Sequence, residues 1–214
     1  ACRYRVALDD PKTRIGLPEV LLGIHPGFGG SMRMIRQIGV LQAMPLMLAG
    51  RSVDARKAKK LGLVDKVVAK RQLQRAARRL ILQKPLMGGA SKLQRLASHD
   101  FVRPALAKYM RSQLEKKARQ DHYPAPFALL DLWESFGGNE QKMLNAEAES
   151  GAKLFITDTS RNLVRLFKLQ DRLKTKNKKI DFQAKHVHVI GAGVMGGDIA
   201  AWCALQGLTV TLQD

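Results

Sequence analysis

Three glycines, Gly191, Gly193 and Gly196, stand in the stretch IGAGVMGGDIA at the spacing G-x-G-x-x-G. That spacing has a physical use. The first glycine allows a tight turn from strand to helix, the second lets backbone approach a pyrophosphate, and the third lets the helix pack closely on the strand. The helix behind them would offer unpaired N–H groups and a positive dipole end, here through the amides of Val194 and Met195. An apolar strand, VHVI, leads into the turn, and a helical run, GGDIAAWCALQG, follows it. A second strand, LTVTLQD, then ends in Asp214. An acid about 20 residues beyond such a turn accepts hydrogen bonds from ribose hydroxyls and repels a 2′-phosphate, which selects NAD over NADP.

The second cluster that can do chemistry is GLPEVLLGIHPGFGG, residues 16–30. Glu19 follows Pro18 and lies among Leu17, Val20 and Leu21. A carboxyl buried there is costly to keep ionised, and a carboxyl so tuned serves as general acid or base. A glutamate at the edge of an element, facing water, satisfies the same residues equally well. Gly27, Gly29 and Gly30 form a loop whose amides can come close to a ligand or a water. His25, beside the Pro-Gly turn, has no evident partner in the sequence and reads as structural rather than as a base.

The surrounding elements are legible from period and punctuation. RYRVAL (residues 3–8) alternates as a strand, DDP turns, and RIGLPEV is a second short extended piece. Met32, Ile35 and Ile38 fall at helix spacing after the glycine loop. VLQAMPLMLAG is a buried helix ending at Gly50, with an irregularity at Pro45. SVDARKAKKLG starts a helix at Ser52 and stops it at Gly62. LVDKVVAK is a strand and RQLQRAARRLILQ an amphipathic helix. From residue 84 to about 185 the chain reads as helical with breaks. KPLMGGAS is a loop, 101–119 a basic amphipathic helix, and a helix runs between Pro126 and Gly137. Residues 139–155 and 159–174 are two more helices, and KTKNKK is a charged linker.

The chain has 214 residues, a net charge of +19 and a pI of about 10.4. Such a charge suits nucleic acid, an anionic membrane or a phosphate-bearing substrate, or is a plain solvated face. Residues 56–84 hold Arg56, Lys57, Lys59, Lys60, Lys70, Arg71, Arg75, Arg78 and Arg79 but no aromatic residue, so no stacking platform for bases exists there and no specific nucleic-acid binding is expected. Peripheral membrane association through the basic helix 101–119 is an open alternative, with the solvated face favoured. No apolar run approaches the ~20 residues of a membrane span, and ACRYRVALDD lacks a signal-peptide core. Cys2 and Cys203 lie at opposite ends, which fits a reducing compartment rather than a disulfide framework. No metal site is expected.

The two clusters together carry a resemblance. GLPEVLLGIHPGFGGSMRMIRQIG and MLAGRSVDARKAKKLGLVDKVV resemble the second half of an enoyl-CoA hydratase (crotonase) domain. HVIGAGVMGGDIA and LTVTLQD resemble the opening of a 3-hydroxyacyl-CoA dehydrogenase. Joined by a helical stretch, in which HYPAPFALLDLW also matches, they look like the alpha subunits of fatty-acid β-oxidation multienzyme complexes. The resemblance implies an α/β fold throughout: the C-terminal part of a crotonase-type spiral at 1–83, a helical linker at 84–184, and the first βαβ unit of a Rossmann NAD-binding domain at 185–214.

It also implies roles. Glu19 matches the second of the family's two hydratase glutamates, which hold a water and move its protons during addition to an enoyl-CoA. The Gly27 amide matches the glycine that helps place that water. Gly191, Gly193, Met195, Gly196 and Asp214 match the NAD-binding turn and ribose acid. The implied partners are acyl-CoA substrates, NAD and a thiolase beta subunit, in the bacterial cytoplasm or the mitochondrial matrix. Hydratase chemistry is favoured over Δ3-Δ2 isomerisation because of the fused dehydrogenase start. The family's first glutamate belongs just before Ala1 and its dehydrogenase His and Glu well after Asp214. The chain is therefore expected to be an internal fragment, inactive by itself in both steps.

Overall fold

The computed structural model describes residues 2–86, 88–91, 94, 96–177 and 183–214. The chain divides into two compact units, Ala1–Lys168 and Leu169–Asp214.

In the first unit β1 (Val6–Leu8) lies parallel to β4 (Lys66–Val68), in the register Val6 to Lys66 and Leu8 to Val68. Arg5 secures the pair: its backbone N–H donates to Asp65 Oδ2 at 2.7 Å and its guanidinium to Oδ1 at 3.2 Å. β2 (Ile15–Gly16) pairs antiparallel with β3 (Ser52–Val53). The expected extended piece RIGLPEV is shorter than its composition suggests. It stops at Gly16, and Glu19–Leu22 form a 3-10 turn, because Pro18 at φ −88°, ψ 11° has already left the extended region.

Two helices follow, α1 (Gly30–Ile38) and α2 (Val40–Leu48). Met32, Ile35 and Ile38 are buried on α1 as their spacing requires. Pro45 is tolerated inside α2 because it lies on the exposed side, where the carbonyl it leaves without a partner meets water. α3 (Ala55–Leu61) starts differently from expectation. Ser52 belongs to β3, and the cap is Asp54, whose carboxylate accepts the Lys57 N–H at 2.8 Å. That hydrogen bond holds the Asp54 carboxyl below the usual range. Gly62 ends α3 in the left-handed region at φ 87°, as read. α4 (Leu73–Gln83) is the amphipathic helix.

The remaining helices are α5 (Arg103–Glu115), α6 (Pro124–Phe136), α7 (Glu140–Phe155) and α8 (Asp158–Asn177). α6 begins two residues before the expected Pro126, since Pro124 takes the first helical position and Pro126 falls within the first turn. α8 runs into the expected KTKNKK linker, the last part of which lies outside the described residues, as does Met87 of the KPLMGGAS loop.

Residues 84–168 form no separate linker body. Ile38, Val40, Met44 and Met47 of α1 and α2 share one core with Ala107 of α5, Leu129, Leu130 and Trp133 of α6, and Met143 of α7. The compact unit therefore passes through residue 83 and ends at Lys168. The physical reason is that α1 and α2 are apolar over more surface than β1–β4 can cover. Trp133 sits at the centre with no exposed surface. Trp133→Ala is expected to destabilise the unit by about 3–5 kcal/mol. The check is a lower urea midpoint at unchanged slope.

The same packing engages the basic helix at 101–119: on α5, Ala107 and Leu114 are buried and Leu106 and Met110 pack on the core, while Phe101, just before the helix, and Tyr109 stay exposed. Among the described residues no helix is long and apolar enough to cross a bilayer.

The second unit is a βαβ element: β5 (His186–Ile190), α9 (Val194–Leu205) and β6 (Thr209–Gln213), with β5 and β6 parallel. Val189 is buried, whereas Trp202 and Leu205 remain largely exposed, as expected for a two-stranded sheet with one helix.

Candidate functional site

Glu19 opens the 3-10 turn of the first unit. The turn is pinned from both sides. Leu21 N–H donates to Pro18 O and Gly23 N–H to Val20 O, each at 2.9 Å. The Tyr123 hydroxyl, just before α6, donates to the Val20 carbonyl, and burial pushes that hydroxyl above its usual pKa. Glu19 is half-buried, and its Oε2 is buried with no hydrogen-bond partner among the described residues. An ionisable oxygen withdrawn from water and left unpaired is costly unless something not part of the chain meets it.

That oxygen belongs to a residue on the wall of a cavity of about 390 Å³. Gly27 and Phe28 also line it, and the opposite wall is α7, with Leu144, Glu147, Ala148, Ala152 and Phe155. Gly27 is exposed, a Cβ there would meet nothing within 4 Å, and its N–H has no partner among the described residues. Glu19, with its unpaired buried oxygen, and Gly27, whose N–H has no partner among the described residues, therefore line one cavity. Such a pair can orient a water and exchange its proton.

His25 is 3% exposed. The structure supplies the partner that the sequence did not show: His25 Nε2 lies 3.0 Å from Ser150 Oγ, and Nδ1 lies 3.1 Å from the Pro26 carbonyl oxygen. With both ring nitrogens engaged the residue fastens the loop, in keeping with the structural reading. The residues missed were those of α7. Their only signal in sequence is an amphipathic period, which marks a buried face without saying what it faces.

The glycine turn of the second unit can be tested position by position. Gly191 has φ 100°, and its N–H donates to Gln213 O at 2.7 Å, tying the turn to the end of β6. A Cβ on Gly193 would enter open space, as a backbone left clear for a ligand requires. A Cβ on Gly196 would lie 1.7 Å from the Gly191 carbonyl oxygen, so only glycine lets α9 start this close to the turn. Val194 and Met195 take the first two helical positions, where N–H groups have no intrahelical partner. Asp214 Oδ1 accepts the Ala192 N–H at 3.2 Å, which places the acid against the turn. The residues present fit a dinucleotide pyrophosphate and ribose.

Arg56, Lys57, Lys59 and Lys60 are exposed on α3, Lys70 and Arg71 on the 3-10 turn that follows β4, and Arg75, Arg78 and Arg79 on α4; Arg56 pairs with Asp9 at 2.9 Å. Among the described residues no three His, Cys, Asp or Glu side chains gather as metal ligands, and Cys2 and Cys203 are free thiols.

Fold and pocket define a class, and comparison with known proteins gives it a name. The enoyl-CoA hydratase/isomerase family model matches residues 1–125, more than half of the chain, so the chain belongs to that family. Residues 186–214 match the 3-hydroxyacyl-CoA dehydrogenase NAD-binding domain. Over 205 residues, 94% of this chain, the sequence is 39% identical to the fatty acid oxidation complex subunit alpha of Aliivibrio fischeri (strain ATCC 700601 / ES114). The chain spans 30% of that relative's length. Among solved structures it is similar to carnitinyl-CoA hydratase from Mycobacterium avium, at 18% identity and TM-score 0.49 over 78% of this chain and 52% of that one. It is also similar to human mitochondrial delta3-delta2-enoyl-CoA isomerase, at 22% identity and TM-score 0.46 over 82% and 54%.

Proposed function

We propose that this chain carries one half of a hydration site for trans-2-enoyl-CoA and the cofactor turn of the NAD-dependent oxidation that follows it. The observation that carries the reading is that Glu19, whose Oε2 is buried without a partner, lines the same cavity as Gly27, whose N–H has no partner among the described residues. Glu19 holds the adding water while Gly27 donates to or orients it. One O–H bond of that water breaks, its oxygen bonds to C3, and a proton reaches C2, so the product is the 3-hydroxyacyl-CoA. Gly191, Gly193 and the amides of Val194 and Met195 would hold the NAD pyrophosphate, with Asp214 at the ribose. When bound, NAD supplies the oxidant for the 3-hydroxyl group.

The 39% identity to a fatty acid oxidation alpha subunit supports the two reactions being carried by one polypeptide. A thiolase-type beta subunit as partner, and a reducing compartment such as the bacterial cytoplasm or the mitochondrial matrix, belong to the same proposal. The test is to give crotonyl-CoA, with and without NAD, to the polypeptide expressed from the complete gene. The conjugated enoyl absorbance is expected to fall in both cases, and NADH to appear only when both substrates are present. Persistence of the enoyl absorbance overturns the reading.

A further inference from the structure

Glu147 is the second carboxylate of the cavity and is only 3% exposed. Both of its oxygens are engaged. Oε1 accepts the Gly29 N–H at 2.5 Å, and Oε2 accepts the Ser31 hydroxyl. Both donors belong to the start of α1, where Gly29 is the N-cap position and has no side chain with which to cap. A local cap is impossible there. Gly29 has φ 73°, and a Cβ would lie 2.7 Å from Leu144 Cδ2. Glu147 does not replace such a side-chain cap, which would accept the N–H of the second or third helical residue. It accepts the N–H of the N-cap residue itself, the bond a capping-box glutamate makes within its own helix, here supplied from α7.

The same helix face holds the other end of the loop through Ser150, whose hydroxyl meets His25 Nε2 at 3.0 Å. Gly27 lies between the two clamps. Its carbonyl accepts the Gly30 N–H at 3.0 Å, and the Phe28 carbonyl accepts from Arg33. Phe28 is 99% exposed with φ 54°, a left-handed conformation that a phenylalanine keeps only when its surroundings impose it.

We propose that Glu147 is a positioning residue for the hydration step: by holding the Gly29 N–H and the Ser31 hydroxyl at the start of α1 it fixes the Gly27 amide at the distance from Glu19 that the reacting water needs. The proposal rests on the hydratase reading above, and the experiment separates the two. Hydration of crotonyl-CoA is measured with the complete-gene polypeptide carrying Glu147→Ala, Glu147→Gln or Glu147→Asp, with Glu19→Gln in parallel, and kcat is expressed per folded molecule.

Glu147→Ala is expected to lower kcat roughly 10- to 100-fold, the scale of an ångström's misplacement, with KM within about threefold of the parent. Glu147→Gln keeps an acceptor for Gly29 and a partner for Ser31, and is expected to recover to within about threefold. Glu147→Asp keeps the charge but withdraws it by one methylene, and is expected to lose about tenfold. It decides the matter if Glu147→Ala does not fold. The proposal is overturned by an unchanged kcat per folded molecule, whether or not the melting temperature falls, or by a rise in KM alone. If Glu19→Gln remains fully active the hydratase reading fails. If Glu19→Gln is inactive and the Glu147 variants behave as the parent, only the positioning role fails.

Discussion

Glu19→Gln is expected to lower kcat for enoyl-CoA hydration by about 10²- to 10⁴-fold, the contribution typical of a positioned general acid–base group. The substitution keeps the shape of the side chain and one acceptor oxygen but removes the ability to take and return a proton. Packing should not suffer, because the affected Oε2 has no protein partner to lose. KM should move little, since the acyl-CoA would be held elsewhere and the lost interaction belongs to the transition state. Parent and variant should therefore share a melting temperature while their turnover differs by orders of magnitude. A residual rate within tenfold of the parent would remove Glu19 from the chemistry, leaving its unpaired oxygen without a purpose.

The second large effect is expected at Gly196. Gly196→Ala places a methyl group 1.7 Å from the Gly191 carbonyl oxygen, a clash with backbone rather than with a side chain that can move aside. Either α9 retreats from the turn or the turn opens, and each displaces the amides of Val194 and Met195. Overpacking of this kind costs about 1–3 kcal/mol, or more where backbone is involved. If that cost falls on the bound state, NAD affinity drops by roughly 10- to 100-fold. Gly193→Ala is the informative partner. Its methyl group would meet open space in the chain, so stability should be nearly unchanged while cofactor binding still weakens. Calorimetric titration with NAD and thermal melts on both variants separate these outcomes. Equal NAD affinity in Gly196→Ala and parent would exclude the turn as the cofactor site.

Much of the molecule can be read before it is folded. The glycine turn is the clearest case, because each of its glycines answers a local demand: a positive φ at Gly191, clearance at Gly193 and close helix–strand approach at Gly196. The apolar period of α1, the stop at Gly62 and the two strands around α9 are equally local, set by side-chain alternation and backbone freedom within a few residues. Where local signals tie, strand pairing breaks the tie. Ser52 and Asp54 are both good caps, and only the pairing of β3 with β2 decides that Asp54 takes the position.

What the sequence by itself determined, then, is the residues that can do chemistry, Glu19 with the Gly27 loop and the Gly191–Gly196 turn with Asp214, together with most of the elements carrying them. Those properties depend on residue type and short spacing. The tertiary structure alone decided that residues 84–168 complete the first unit rather than link it to another, that α7 walls the Glu19 cavity, and that Glu147 and Ser150 reach across it to hold Gly29 and His25. These contacts join residues more than a hundred positions apart. Nothing in the local period of a helix says which surface its buried face will meet, since burial rewards any apolar partner of the right shape.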